Sequence, residues 1–391
     1  MVGGIRKGLK MESTRSGGMG APDWHMEARS PVKGVGPEDV RRRNRNSVLR
    51  LLYPDHWLSR ADVAKLTGLS KSSASGVVTS LIDDGLIHEE GRRIISGPGK
   101  PAVLLHLDPN ARQIIAIDVS RPTELIGVVT NLVGEIQARA QLLVNDGEQL
   151  DIDPIVELIE ELRDELNAPL LGVGVASPGT VDRSGTVLKA SNLGWENVPI
   201  AARLEERIGV GVRVDNNANA AALGEYQYGV GREDMMFVQI AQGVGAGMVL
   251  NDQVVVGTLF SAGEIGHVVV DSNGVICRCG KRGCLETMTS LPSLRKRLNA
   301  EPSERDRILT QAGGVLGQTL SMPIAMTGID DIVISGDSEV IDDVYLAAVS
   351  YAVNSRIDEE FFGKITVRRT QLGSDIVLLG ESVAVLRSML L

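Results

Sequence analysis

All three cysteines of the 391-residue chain fall within eight positions, as Cys277-x-Cys279-x4-Cys284, and His267 stands ten residues before the first. Three thiolates and one imidazole make a closed tetrahedral set, the structural type of zinc site, with no open position for a catalytic water. Three inert buried cysteines are the plainer alternative, but random scatter over so long a chain rarely clusters them this tightly. The reading is one structural zinc per chain, held by His267, Cys277, Cys279 and Cys284. Three cysteines also exclude a disulfide framework and fit a reducing cytoplasm.

A second constellation lies near the start. Ser59 caps a short helix closed by Thr67-Gly68, and Ser70 caps another that runs to Asp84 and stops at Gly85. Burying Ala74, Val77, Val78, Leu81 and Ile82 at helical spacing leaves Lys71, Ser72, Ser75, Gly76 and Thr79 outside. A helix, a glycine turn and a helix with a small polar face describe a helix-turn-helix, and equally a plain helical hairpin. Two features favour DNA. Arg41, Arg42, Arg43 and Arg45 cluster on a preceding helix that starts at Pro37 and carries Val40, Val48, Leu49, Leu51 and Leu52, a basic set suited to phosphate contact. Two strands at 86–87 and 103–105 then read as a wing, whose Gly/Pro-stiffened tip places Arg92, Arg93 and Lys100 for a minor groove. A solvated loop is the bland reading of that tip.

The elements that must position these residues follow from composition and pattern. Residues 1–36 lack apolar periodicity and read as a disordered leader; 37–107 read as a winged helix-turn-helix, and 108–391 as an α/β body in two lobes. Net charge is −10 overall, but +6 over 1–107 and −16 over 108–391, so a polyanion is expected at the front. With aromatics at 3%, the core must be Val, Ile, Leu and Ala. No apolar run reaches the ~18–20 residues that cross a bilayer, and no signal-peptide h-region is present, so no membrane partner is expected. Strands at 113–119, 124–130 and 135–144, a helix at 152–166, strand 170–176, helix 200–208, strand 211–214 and helix 217–229 form one unit. Strands at 235–241, 247–250 and 267–270, helices near 304–326, 338–356 and 375–390, and strands 332–335 and 365–368 repeat the pattern. Two such units around a cleft describe the actin-like ATPase (ribonuclease H-like) architecture.

Five motifs in order, Ser177-Pro178-Gly179-Thr180-Val181-Asp182, Asn192-Leu193-Gly194-Trp195, Asn216-Asn217-Ala218-Asn219-Ala220-Ala221-Ala222, Gly263-Glu264-Ile265-Gly266-His267 and the cysteine cluster through Leu285-Glu286, resemble the ROK family (repressor, open reading frame, kinase) over essentially all of 38–391. The resemblance implies a sugar pocket made by Asn216, Asn217, Glu264, His267 and Glu286, lined by Gly179 and Ser191. Carboxylates and amides suit vicinal sugar hydroxyls, and His267 could hold zinc through one nitrogen and a hydroxyl through the other. A helix N-cap is the competing role for Asn216 and Asn217, and core packing that for Trp195.

Departures from the family's kinases matter as much. Their first phosphate loop reads Asp-x-Gly-Gly/Ala-Thr; here Asp118 is followed by Val119-Ser120-Arg121-Pro122-Thr123, without glycine and with one residue that has no N–H. The second loop keeps Gly243, Gly245 and Gly247 but carries Ala241-Gln242 where the kinases have Gly-Thr. The Asn-Asp pair that bears the catalytic base is Asn216-Asn217, and an amide takes no proton from a hydroxyl at neutral pH. The expectation is therefore a cytoplasmic, catalytically silent repressor of carbohydrate genes. It should bind a roughly palindromic operator as a homodimer or homotetramer and answer to a sugar or sugar phosphate. An active sugar kinase carrying a DNA-binding domain is the alternative.

Overall fold

A computed structural model describes residues 36–93, 102–145, 149–230 and 234–391. The expected leader, apart from Gly36, and Lys100 at the wing tip lie outside the described residues. Helix α1, Pro37–Leu52, starts with proline at its first turn and with Glu38 and Asp39 facing the positive end of the dipole. By its contacts, the stretch through Arg43 separates from Asn44–Leu391, which forms one compact unit. Val40 does not join the apolar face as expected. It is exposed, because the positions three and four residues on, Arg43 and Asn44, offer no apolar neighbour.

Within the compact unit, β1 (Leu58–Ser59) leads into α2 (Arg60–Thr67), Gly68 at φ +70° turns the chain, and α3 (Lys71–Asp83) follows. Ser59 caps α2 in a reciprocal box with Asp62, and Ser70 caps α3. Strands β2 (Ile87–Arg93) and β3 (Ala102–Leu107) pair antiparallel into a ribbon, with an irregularity between Glu90 and Arg92. This front end shares a core with the body: Val48, Leu49, Leu52, Val63, Val78 and Leu81 cluster with Ile114, Leu132, Val385, Leu386 and Leu391.

The body holds two sheets of identical topology. In the first, β4 (Gln113–Asp118), β5 (Glu124–Asn131) and β6 (Ile136–Leu143) run antiparallel in sequence, and β7 (Leu170–Ser177) pairs parallel with β4. A small antiparallel sheet of β8 (Thr180–Val181), β9 (Val187–Ala190) and β10 (Trp195–Val198) interrupts the chain before β11 (Val212–Asn216) completes the order β11-β7-β4-β5-β6. The second sheet repeats this order with β12 (Met235–Ile240), β13 (Val244–Leu250), β14 (Gln253–Val254), β15 (Asp331–Ser335) and β16 (Thr366–Arg369), as β14-β13-β12-β15-β16.

Helices α4 (Asp153–Asp164) and α5 (Ile200–Ile208) cover the first sheet. Next come α6 (Asn217–Tyr228), α7 (Glu286–Thr289), α8 (Leu291–Ala300), α9 (Arg305–Thr327), α10 (Asp343–Asn354), α11 (Glu359–Phe362) and α12 (Ile376–Met389). Helices α6 and α12 cross through small residues: a Cβ on Gly380 would lie 1.7 Å from the Ala220 carbonyl oxygen, and one on Gly224 2.5 Å from that of Ile376. Glu225, fully buried on α6, accepts from Arg368 (2.6 Å) and Thr370 (2.7 Å), and Arg368 also grips Asp331 with two 3.0 Å bonds.

The expected strand at 267–270 is absent. Ile265–His267 form one turn of 3-10 helix, and Val269 makes only an isolated bridge to Cys284. The backbone bonds go elsewhere: the Val268 N–H turns back to the Ile265 carbonyl, and the N–H groups of Val270 and Asp271 both share the Gly283 carbonyl, so no ladder forms. Helix α8 and the small sheet went unforeseen.

Candidate functional site

The polar ends of these elements open into one cleft of about 1610 Å³ between the two sheets. Gly179, Ser191, Asn216, Asn217, Glu264, His267 and Glu286 all line it, so the residues singled out by the family resemblance come together. Asn216 closes β11 and caps α6, its Oδ1 accepting from the N–H groups of Ala218 (2.9 Å) and Asn219 (3.1 Å). Its Nδ2 donates to the Gly179 carbonyl at 2.7 Å. Gly179 is needed there, since at φ +80° any Cβ would sit 1.9 Å from the Lys189 oxygen. Asn217 donates to Gln239 Oε1 at 2.9 Å, tying the first turn of α6 to β12. The capping role weighed for Asn216 and the packing role weighed for Trp195 both hold: the Trp195 ring is buried and donates to the Leu150 carbonyl.

The thiols stand beside these polar groups. Ligand atoms of His267, Cys277, Cys279 and Cys284 lie within 4.8 Å of one another, a cluster that could hold a metal ion. Cys279 and Cys284 Sγ are 3.6 Å apart, as are Cys277 Sγ and His267 Nδ1. Tetrahedral zinc with bonds near 2.3 Å spaces its sulfurs by about 3.8 Å, so the donor set fits. A backbone N–H from Lys281 draws the Cys279 thiol down to about 7, whereas burial raises Cys277 and Cys284. His267 Nδ1 faces the thiols while Nε2 points to Glu264, 4.0 Å away. Glu286 Oε1 accepts from Cys277 at 2.9 Å, so this carboxylate touches the Cys/His cluster and the cleft alike. Burial raises Glu264 above the usual carboxylate range.

The other end of the cleft carries the altered loop. Asp118 is almost fully buried, accepts from Ser120 N–H at 2.9 Å, and is pushed upward by desolvation. Arg121 pairs with Glu124 (2.9 Å) and stands 3.8 Å from Asp118, and with Pro122 it lines the cleft. The retained glycines have a packing role: a Cβ on Gly247 would fall 2.4 Å from the Ala218 carbonyl oxygen, one on Gly245 3.3 Å from the Ala218 side chain.

At the front, Lys71, Ser72, Ser75 and Thr79 are exposed on α3 as expected, and Arg41, Arg42 and Arg43 are exposed on α1. Arg45 departs from the basic cluster, because it bonds Ser80 of α3 and Asp84 at the C-cap of that helix. Arg92 and Arg93 fall in β2. Sequence reasoning missed Arg60, whose guanidinium lies across the exposed face of α3. Its place at the first position of a helix was no signal by itself, because Lys71 and Arg305 also begin helices, α3 and α9.

Two helices join the regions. The first turn of α6 and Ile376-Val377 at the start of α12 line the cleft. The far end of α6 places Tyr228 Oη 3.4 Å from Tyr53 Oη, and that of α12 enters the front core.

Among known proteins, the xylose repressor of Bacillus subtilis is 29% identical over 268 residues, covering 67% of this chain and 69% of that protein. The DNA-binding transcriptional dual regulator NagC of Escherichia coli is 26% identical over 367 residues, 85% of this chain and 90% of its own. A crystal structure of a ROK family transcriptional regulator, homologous to the Escherichia coli MLC protein, superposes with a TM-score of 0.78 at 22% identity, covering 90% of this chain and 96% of that one. Residues 114–387 match the ROK family itself. Motifs, duplicated fold and these likenesses agree, and the chain belongs to the ROK family.

Proposed function

We propose that this protein is a sugar-responsive transcriptional repressor of carbohydrate uptake or catabolism genes, acting in the cytoplasm as a homodimer or homotetramer. Residues 37–107 serve as a winged helix-turn-helix and 108–391 as a catalytically silent effector domain. The observation that carries the reading is the pair of helices running from the cleft to the front: α6 starts at Asn216-Asn217 and ends at Tyr228, and α12 starts at Ile376 and ends in the shared core. A ligand in the cleft then acts on the same two rods that support the DNA-binding end. The repressor names of the relatives support the same reading.

In this mechanism Lys71, Ser72, Ser75 and Thr79 enter the major groove of a roughly palindromic operator. Arg41, Arg42 and Arg43 meet phosphates, and Arg92, Arg93 and Lys100 approach the minor groove. His267, Cys277, Cys279 and Cys284 would hold a structural zinc, and His267, with Nδ1 toward the thiols, turns Nε2 to the sugar. Glu264, Glu286, Asn217 and the remaining N–H of Asn216 pair with hydroxyls, while Gly179 and Ser191 shape the wall. Catalytic silence rests on Asn217, which has no basicity for a sugar hydroxyl, and on Arg121-Pro122 in place of a backbone cradle.

Retention of Asp118 at the cleft favours a second reading, an active sugar kinase with a DNA-binding end. Calorimetric titration of xylose, glucose and N-acetylglucosamine, with and without ATP, separates the two. Binding of one sugar without product formation is expected; ATP-dependent phosphorylation at ordinary kinase rates overturns the repressor reading.

A further inference from the structure

Arg60 is the first residue of α2, where aligned peptide dipoles present partial positive charge and acids are the favoured side chains. Acids stand in the first turns of α1, at Glu38 and Asp39, and of α2, at Asp62, although α3 and α9 also begin on a cation, Lys71 and Arg305. A guanidinium here is held against the local field by other bonds. Its Nε donates to Glu89 Oε1 of β2 at 2.8 Å; its Nη1 donates to the Ser75 carbonyl (3.1 Å), Ser75 Oγ (3.2 Å) and Thr79 Oγ1 (3.3 Å). Nη2 has no bond among the described residues, and the side chain remains 33% exposed.

Ser75 and Thr79 stand one turn apart on the exposed face of α3. Around them the face is small: Ser72 is short, and a Cβ added to Gly76 would meet nothing within 4 Å. A surface of this kind lets backbone approach base edges closely and leaves the reading to a longer side chain laid across it. Arg60 fits that role. Its plane is set by two hydroxyls and a carbonyl at Nη1 and by a carboxylate at Nε, which leaves the two N–H groups of Nη2 to donate to a guanine acceptor, O6 or N7, in the major groove.

Resting on the DNA-binding reading above, we propose that Arg60, buttressed by Glu89, Ser75 and Thr79, reads a guanine in each half-site. Ser75 and Thr79 thereby act as positioning residues that aim the arginine. The bland reading is a structural tie between α2, α3 and β2.

The test uses the full chain and a pool of duplexes whose core is randomised over two helical turns. The unmodified protein should enrich half-sites carrying one fixed guanine. Arg60→Ala and Arg60→Lys should lose preference at that position alone. Their affinity for the enriched duplex should fall about tenfold to a hundredfold, with affinity for a scrambled duplex and its salt dependence retained. Glu89→Gln should weaken the same preference without removing it. Should Arg60→Ala fail to fold, the other two variants, which keep side-chain length, carry the test. Unchanged base preference in the variants overturns the proposal, as does an equal loss on both duplexes, which marks a phosphate contact or a structural tie. Failure of the unmodified protein to enrich any duplex instead removes the DNA-binding reading from which the proposal starts.

Discussion

Glu381 on α12 has both carboxylate oxygens buried without a well-formed hydrogen bond among the described residues; Asp215 and Asp118 oppose its ionisation further, and Arg213 and the Val175 backbone offset this only in part. Burial therefore holds it protonated well above the ordinary range. The folded chain keeps a proton that the unfolded chain releases above about pH 4.5, so this residue lowers stability as pH rises through that value. Glu381→Met should accordingly be more stable than the unmodified protein at pH 8 and gain less at pH 5, as read by urea unfolding. At Asn217, restoring a carboxylate by Asn217→Asp should leave sugar phosphorylation undetectable in a coupled assay, because Arg121-Pro122 separately denies the nucleotide its phosphate cradle. Cys279→Ala should remove zinc from the purified protein, measured by metal analysis, and with it the sugar response. A variant that loses metal but keeps sugar affinity would detach the cluster from the pocket. Residue types at fixed spacing made the grouping of His267, Cys277, Cys279 and Cys284 legible in the sequence. Arg60 and Glu381 were not legible, because each takes its meaning from neighbours far away in the chain.

At the scale of elements, the α6–α12 crossing is held by the absence of side chains. Gly380→Ala would drive a methyl group into the Ala220 carbonyl, and with the helix backbones rigid the rods must part. A loss of roughly 1–3 kcal/mol is expected in urea unfolding. Removing Arg368 leaves Glu225 and Asp331 buried without their cation, so Arg368→Ala should cost about 3–5 kcal/mol by the same measurement. Amphipathic helices such as α4 and apolar strands such as β4 and β7 could be read from periodicity, since burial and period coincide. The segment at 267–270 misled because its Val-Val-Val run has strand propensity, while backbone bonds to the Ile265 and Gly283 carbonyls decide its path. Helix α8 carried a usable pattern in Leu291, Leu294 and Leu298 with Pro292 in the first turn, masked by five polar or basic neighbours. Strands of two to four residues, as in the small sheet, are too short to show a period at all.

For the whole molecule, the basic front and acidic body orient any polyanion toward the first hundred residues. Replacing Arg42 and Arg43 together with alanine should weaken binding to every duplex and flatten its salt dependence; an unchanged slope would remove their phosphate role. Ligand control of DNA binding by about a hundredfold requires roughly 2.7 kcal/mol of coupling between cleft and front. The junction between front and body holds His88 bonded to Asp108 (2.9 Å) and Arg112 to the Asp84 carbonyl (3.2 Å), but α6 and α12 offer broader contact.

The shared core bears on how such regulators can be recombined. Leu386 and Val385, nested among Leu49, Leu52 and Leu81, belong by sequence to the body and by packing to the front. A graft that exchanges residues up to 107 for another protein's DNA-reading module would seat foreign side chains on this patch of α12. The natural unit of exchange is discontinuous, the front together with the second half of α12. A chimera that carries both should melt in one transition, and one that carries the front alone in two.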